Sequence, residues 1–73
     1  MIPRQHFVNK LRELHYTYKT KQKRTELWRK RGGTHYISMP LSDLLEEEWV
    51  TSTLRQAGCT QDVIRSFIAA AKA

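Results

Sequence analysis

The spacing of apolar residues changes twice along this sequence, and the change limits the folds that the chain can adopt. The first segment begins at Pro3, a residue suited to the first helical position. Its apolar residues have the spacing of one helix face, at Phe7, Val8, Leu11 and Leu14. From Tyr16 to Thr25 the period becomes two, which is typical of a strand. After Pro40 the helical spacing returns.

The middle of the chain predicts three strands joined by short turns. The first is predicted over 16–25 and the second over 26–30. Arg31-Gly32-Gly33 then supplies a hairpin turn, a third strand follows over 34–39, and Pro40 ends it. His15 stands just before the first strand, at a turn where glycine would relieve a left-handed backbone. Strands joined in this way pair antiparallel.

The last third of the chain predicts two helices with apolar stripes. Asp43 is expected to cap the first of them, with Glu46 at the spacing of a capping box, and Gly58 to end it. Thr60 is expected to cap the last helix. The predicted inward residues are Leu45, Trp49, Thr53, Leu54 and Ala57 in one helix, and Val63, Ile64, Phe67, Ile68 and Ala71 in the other.

These elements predict an α+β fold in the order α-β-β-β-α-α, with a three-stranded antiparallel sheet and the helices packed on one of its faces. With 73 residues we expect one domain over 1–73 and a small core, since so short a chain buries only about 60% of its unfolded surface. The predicted core consists of Phe7, Leu11, Leu14, Trp49, Leu54, Ile64 and Phe67.

Positive charge is concentrated in the first part of the chain. Residues 1–40 carry ten Lys and Arg against two acids, a net +8, whereas residues 41–73 carry three against five, a net −2. A charge field of this kind favours a polyanion as partner, because clustered cations release condensed counterions on meeting phosphates. Alternation would place Lys19, Lys21 and Lys23 on one side of the first strand, about 7 Å apart. The predicted RNA-binding residues are Lys19, Lys21, Lys23, Arg24, Arg29 and Arg31.

Two less specific explanations of the same charges remain open. A basic surface can simply keep a small domain soluble. Lysines on an exposed strand also prevent edge-to-edge aggregation.

Few residues suggest catalysis. His35 follows a Gly-Gly-Thr turn among basic residues and would suit a base acting on a ribose hydroxyl. His35, Ile37 and Met39 stand at alternate positions, so in a strand His35 would instead point inward with them, at the edge of the core.

The sequence has no paired carboxylates, metal-ligand spacing or phosphate-cradling glycine loop, so no metal and no cofactor are expected. Cys59 is the only cysteine and is expected to pack as a small apolar residue.

The sequence also bears on location. No apolar run approaches the 18 or so residues of a membrane span, and residues 1–10 lack the apolar stretch of a signal peptide. A cytoplasmic protein with no membrane partner is therefore expected.

Three stretches of this sequence resemble the HicA toxin family. They are FVNKLRELHY at the start, KQKRTELWRKRGGTHYISMP through the hairpin, and TSTLRQAGCTQDVIRSFI at the end. The resemblance covers almost the whole chain, and the last stretch is its most specific part. It implies a fold like that of double-stranded-RNA-binding domains, ribonuclease activity, and a place in bacterial toxin–antitoxin systems beside a HicB antitoxin.

The family pattern differs from this chain at its catalytic histidine. That pattern has Gly-Ser-His about fifteen residues before the strand-ending proline, where this chain has Arg24-Thr25-Glu26. The similar motif GGTH puts His35 only five residues before Pro40. The resemblance thus leaves His35 and Glu26 as the candidate bases for a metal-independent attack of a 2′-hydroxyl on the adjacent phosphate. His15 is a second departure, since the family usually has glycine there.

Residues and resemblance together lead us to expect a HicA-like domain that binds RNA. Cleavage of RNA is in doubt, because this chain lacks the catalytic histidine at the place where the family pattern has it. The expected partners are RNA and a HicB-like antitoxin. The alternative is a protein-interaction module whose basic sheet binds an acidic or antitoxin-like protein.

Overall fold

A computed structural model describes residues 1–72 of the chain. Its elements confirm an α+β architecture. In chain order they are β1 (Ile2–Pro3), α1 (Arg4–Glu13), β2 (Tyr16–Lys21), β3 (Thr25–Lys30), β4 (Tyr36–Pro40), β5 (Leu44–Leu45), α2 (Glu47–Gln56) and α3 (Gln61–Lys72). No helix over these residues is long and apolar enough to span a membrane.

The three-stranded antiparallel sheet has the order β2-β3-β4, as predicted. A second, two-stranded sheet that the sequence did not predict pairs β1 with β5, and Ile2 lies opposite Leu45. Both of these residues are buried, so the small sheet closes one end of the core. Strands of two residues are too short to show a period, which is why sequence reasoning missed them.

The first strand differs from its prediction in length and register. It ends at Lys21, and the backbone N–H of Gln22 donates to the carbonyl of Thr25 at 2.7 Å across a turn. The register shifts between Tyr18, which pairs with Trp28, and Thr20, which pairs with Leu27. A residue inserted in this way breaks the alternation of side chains between the faces. Alternation over 16–25 is therefore wrong beyond Tyr18.

The start of α2 was predicted wrongly, whereas the junction between α2 and α3 was predicted correctly. Capping by Asp43 is wrong, because β5 occupies 44–45 and α2 begins at Glu47 without a side-chain cap. The carbonyl of Asp43 instead accepts the backbone N–H of Arg4 at 2.8 Å. Gly58 does follow α2, with φ +93°, and Thr60 Oγ1 accepts the N–H of Val63 at 3.3 Å.

One core lies between the helices and a single face of the large sheet. Of the predicted core residues, Phe7, Leu11, Leu54 and Ile64 are buried, while Leu14, Trp49 and Phe67 are partly buried against the same core. Cys59 also packs against it, as expected. The sheet contributes Tyr16, Trp28, Ile37 and Met39. Leu45 is buried as predicted, but from β5 rather than from α2.

Arg4 fastens the beginning of α1 to the end of the sheet. Its guanidinium forms an ion pair with Glu26 on β3 and donates to the carbonyl of Pro40 at the end of β4. Both side chains of the ion pair are about four-fifths shielded from solvent. Charge-assisted hydrogen bonds in such a setting are stronger than those at an open surface.

His15 has the left-handed backbone that its position predicted, with φ +69°. An L-residue pays roughly 1–2 kcal/mol for that conformation, and glycine would avoid the cost while adding some entropy to the unfolded chain. We expect His15→Gly to raise the free energy of unfolding by about 0.5–1 kcal/mol. Urea unfolding measures it. His6→Gly, an exposed change within α1, is the control and should lower stability by about 0.3–0.5 kcal/mol.

Candidate nucleic-acid interface

The large sheet turns one face to the helices and leaves the other uncovered. Trp28 pairs with Ile37 and Glu26 with Met39, so these residues share the helix-covered face. The intervening residues form two rows on the opposite side, which we call the open face. Its residues are Thr17, Arg29 and Tyr36 in one row and Thr20, Leu27 and Ser38 in the other. None of them is buried.

Arg29 and Tyr36 lie side by side on the open face, near the end of β3 and at the beginning of β4. The Arg29 guanidinium carbon is 6.0 Å from the centre of the Tyr36 ring, at the outer range of a cation–π contact. Arg29 Nε also donates to the carbonyl of Gly33 at 3.2 Å, which fixes the guanidinium over the turn. Tyr36 keeps 46% of its surface exposed. The pair therefore presents a held cation and an accessible aromatic ring.

The six predicted RNA-binding residues are divided among several positions. Lys19 lies at the bulge, Lys21 is opposite Glu26 and so shares the register of the helix-covered face, and Arg29 is on the open face. Lys23 and Arg24 lie in the turn after β2, and Arg31 lies in the turn after β3. The prediction that Lys19, Lys21 and Lys23 line one side of a strand is wrong, because the strand ends early and contains a bulge.

These cations nevertheless keep their charge available, and we call the five other than Arg29 the hairpin cations: Lys19, Lys21, Lys23, Arg24 and Arg31. The three ion pairs within residues 1–72 use Arg4, Lys10 and Lys72, all of which belong to helices. None of the six predicted cations has a carboxylate within 4 Å in the part of the chain that the structure describes. Five of the six are exposed, and Arg29 is half-buried. The positive field of the hairpin is therefore not cancelled by internal pairing.

His35 lies at the edge of the core, as its alternation with Ile37 and Met39 predicted. Its Nδ1 is 2.6 Å from the hydroxyl oxygen of Tyr16, a residue only 2% exposed. Burial raises the pKa of Tyr16, and Cys59 nearby adds to the rise, so the hydroxyl keeps its proton. The contact engages Nδ1 of the His35 ring, and Nε2 is the nitrogen left over.

Glu26 is engaged within the fold. Its Oε1 carries the ion pair with Arg4 and accepts a hydrogen bond from Trp28 Nε1 at 3.3 Å. By register it belongs to the helix-covered face, opposite Met39. The two candidate bases are thus both on the helix side of the sheet, away from Arg29 and Tyr36.

A groove lies between α1 and α3. It has a volume of about 540 Å³, and its lining includes Lys10, Glu13 and Asp62. Lys10 and Glu13 are themselves paired at 3.7 Å. A lining of mixed sign suits a polyanion less well than the open face does. Over residues 1–72, no three His, Cys, Asp or Glu side chains are grouped as metal ligands.

The set of site residues predicted from the sequence omits Tyr36 and Leu27. The signal was present for Tyr36, since alternation over 36–39 places it and Ser38 opposite Ile37 and Met39. Leu27 could not be assigned in this way, because β3 has no clean alternation of apolar and polar residues. An apolar residue at the centre of an otherwise polar face becomes evident only from the pairing of strands.

Comparisons of this chain with protein-family models, with curated proteins and with solved structures found no match. The HicA resemblance therefore rests on the sequence stretches quoted above. The open face and its charges are properties of the fold and do not depend on that resemblance.

The burial of the Tyr16 hydroxyl has a consequence for how stability varies with pH. Because the pKa of Tyr16 is raised on folding, its contribution is fully present below pH 10, the ordinary tyrosine pKa, and is lost as pH rises through the folded value. We expect Tyr16→Phe to lower the free energy of unfolding by about 1 kcal/mol near neutral pH, through loss of the hydrogen bond. The deficit should shrink in alkaline solution, where the native protein loses this contribution.

Urea unfolding at several pH values from neutral to alkaline measures this difference. Tyr18→Phe is the matched control, because Tyr18 is 51% exposed, and its curve should follow the native one. A Tyr16→Phe curve that stays parallel to the native curve at every pH would contradict the assignment.

Proposed function

We propose that this chain is a HicA-like RNA-binding domain of a toxin–antitoxin type system, and that it binds RNA with the open face and the cations of the hairpin. The observation that carries the proposal is a sheet face left uncovered by the helices, with Arg29 beside an exposed Tyr36. Surrounding cations lack internal partners among the described residues. The cytoplasm, where RNA is available, is the location that this function needs.

Electrostatics supplies the larger part of the affinity under this proposal. Residues 1–40, which include the whole hairpin, carry a net charge of +8. From Arg24 to Arg31 the chain spans about 24 Å at about 3.4 Å per residue, so its charges can contact several successive phosphates. Contacts of this kind position the nucleic acid without reading its sequence.

Binding without cleavage is the form of the function that the geometry favours. A general base must reach the proton that it takes, at roughly 2.6–3.2 Å or through one water. His35 and Glu26 are on the opposite side of the sheet from the open face, and each is already engaged by a neighbouring side chain. RNA held on the open face would therefore lie across the sheet from both side chains.

The competing function is a protein-interaction module. Leu27 and Tyr36 add partly exposed apolar surface to the open face, which would also suit an acidic partner such as a HicB-like antitoxin. Salt weakens both kinds of binding, because both depend on charge. Competition between labelled RNA and polyglutamate separates them. Polyglutamate should displace the RNA readily if the open face binds an acidic protein, and poorly if it binds RNA.

The first prediction of this proposal concerns charge. Replacing Lys19, Lys21 and Lys23 together with Ala should weaken RNA binding uniformly across sequences. Each phosphate contact with a single strand contributes about 0.7 to the slope of log affinity against log salt, so the slope should fall by about two at most. Fluorescence anisotropy with labelled RNA at several salt concentrations measures both quantities.

The control for this experiment removes the same charge elsewhere. Arg12, Arg55 and Arg65 are exposed residues on the three helices, and replacing them together with Ala also lowers the net charge by three. That variant should keep the native slope. An unchanged slope in the lysine variant, or an equal loss in both variants, would place the phosphates elsewhere.

The second prediction concerns cleavage. Native protein incubated with a mixed RNA at a concentration that saturates binding should leave the RNA intact, and a host should tolerate its expression without an antitoxin. His35→Ala and Glu26→Ala, each checked for folding by circular dichroism, should behave likewise. Strong cleavage by the native protein that disappears only in His35→Ala would overturn this part of the proposal and assign the active site to the GGTH turn.

A further inference from the structure

We infer that Tyr36 and Arg29 form a stacking subsite for one unpaired nucleobase, so that the RNA ligand is single-stranded where it crosses the open face. This inference rests on the proposed RNA-binding function and adds to it the part of the nucleotide that is recognised. It concerns a contact with a base, whereas the hairpin cations contact phosphates.

The Tyr36 ring is available before any ligand binds, and the Arg29 side chain beside it is held by a hydrogen bond. It is 46% exposed at the beginning of β4, an outer strand of the sheet. Arg29 lies across from it on the central strand, and the bond from Arg29 Nε to the Gly33 carbonyl limits how the guanidinium can move. An aromatic ring and a guanidinium plane are the two protein groups on which bases commonly stack.

The surface beside this pair suits a flat ligand. Thr17 is in the same row, and Thr20, Leu27 and Ser38 form the next row, roughly 7 Å further along the strands. These side chains are short or apolar, so Arg29 is the one long polar side chain of the open face beside the ring. Their hydroxyl groups can donate to or accept from the edges of a base.

This geometry distinguishes single strands from duplexes. Bases in an A-form duplex are already stacked and paired, and the duplex offers a protein mainly phosphates and 2′-hydroxyls. A ring lying on a sheet can stack only on a base that has left its stack. A ligand recognised through Tyr36 must therefore contain an unpaired nucleotide.

Tyr18 provides a matched control within the same sheet. It is exposed to a similar extent, 51%, but its register pairs it with Trp28 on the helix-covered face. Its ring meets the Trp28 ring edge-on, with 6.0 Å between centroids. Removing the Tyr18 ring therefore takes an exposed tyrosine from the sheet without touching the open face.

The test compares two forms of one RNA sequence, a labelled single strand and the same strand annealed to its complement, by anisotropy at one salt concentration. Native protein should bind the single strand more tightly. Tyr36→Ala should weaken single-strand binding by about 5- to 150-fold and leave duplex binding within about twofold. Tyr36→Phe should bind as the native protein does, because it keeps the ring, and Tyr18→Ala should also match the native protein.

The two failures can be told apart. If native protein binds RNA but prefers the duplex, or if Tyr36→Ala retains native affinity for the single strand, the stacking subsite is wrong and RNA binding stands. If native protein binds neither RNA, both the inference and the proposed function are wrong. Loss of binding in Tyr36→Phe as well as Tyr36→Ala would also overturn the inference, because stacking does not need the hydroxyl.

Discussion

Burial of one face of the three-stranded sheet is the constraint on which the rest of this structure depends. Trp28 on the central strand is 4% exposed, and its neighbours on that face meet the residues of the three helices in one core. A chain of this length has enough apolar residues for a single such layer. The second face is consequently left to solvent, and the chain can use it for binding because the core does not need it.

The distribution of ion pairs follows from the same division. The three ion pairs in the described part of the chain all use helix cations, as Glu26 pairs with Arg4 and Glu47 with Lys72. The first of these pairs joins the beginning of α1 to the sheet. Hairpin cations take no part in these pairs, and their field remains available to a polyanion. The fold thereby separates the charges that stabilise it from those that we propose bind RNA.

The sequence predicted the periodic parts of this fold and missed the contacts between distant residues. The stripes of α1 and α3 identified Phe7 and Ile64 as core residues, since a helical period records which side of an element is buried. The bulge after Tyr18 left no trace in the pattern, because lysines and threonines tolerate either face of an edge strand. The partner of Glu26 lies 22 residues away, and spacing along one element cannot reveal it. The cations of the site were therefore predicted as residues, whereas their arrangement was not.

Whether RNA lies on the open face can be read residue by residue in an NMR titration of labelled native protein with a short single-stranded RNA. We expect the largest changes in chemical shift at the Leu27 methyl groups, the Tyr36 ring and the Arg29 amide, with little change along α3. Changes concentrated in the groove between α1 and α3, with the resonances of Leu27 and Tyr36 unmoved, would contradict it.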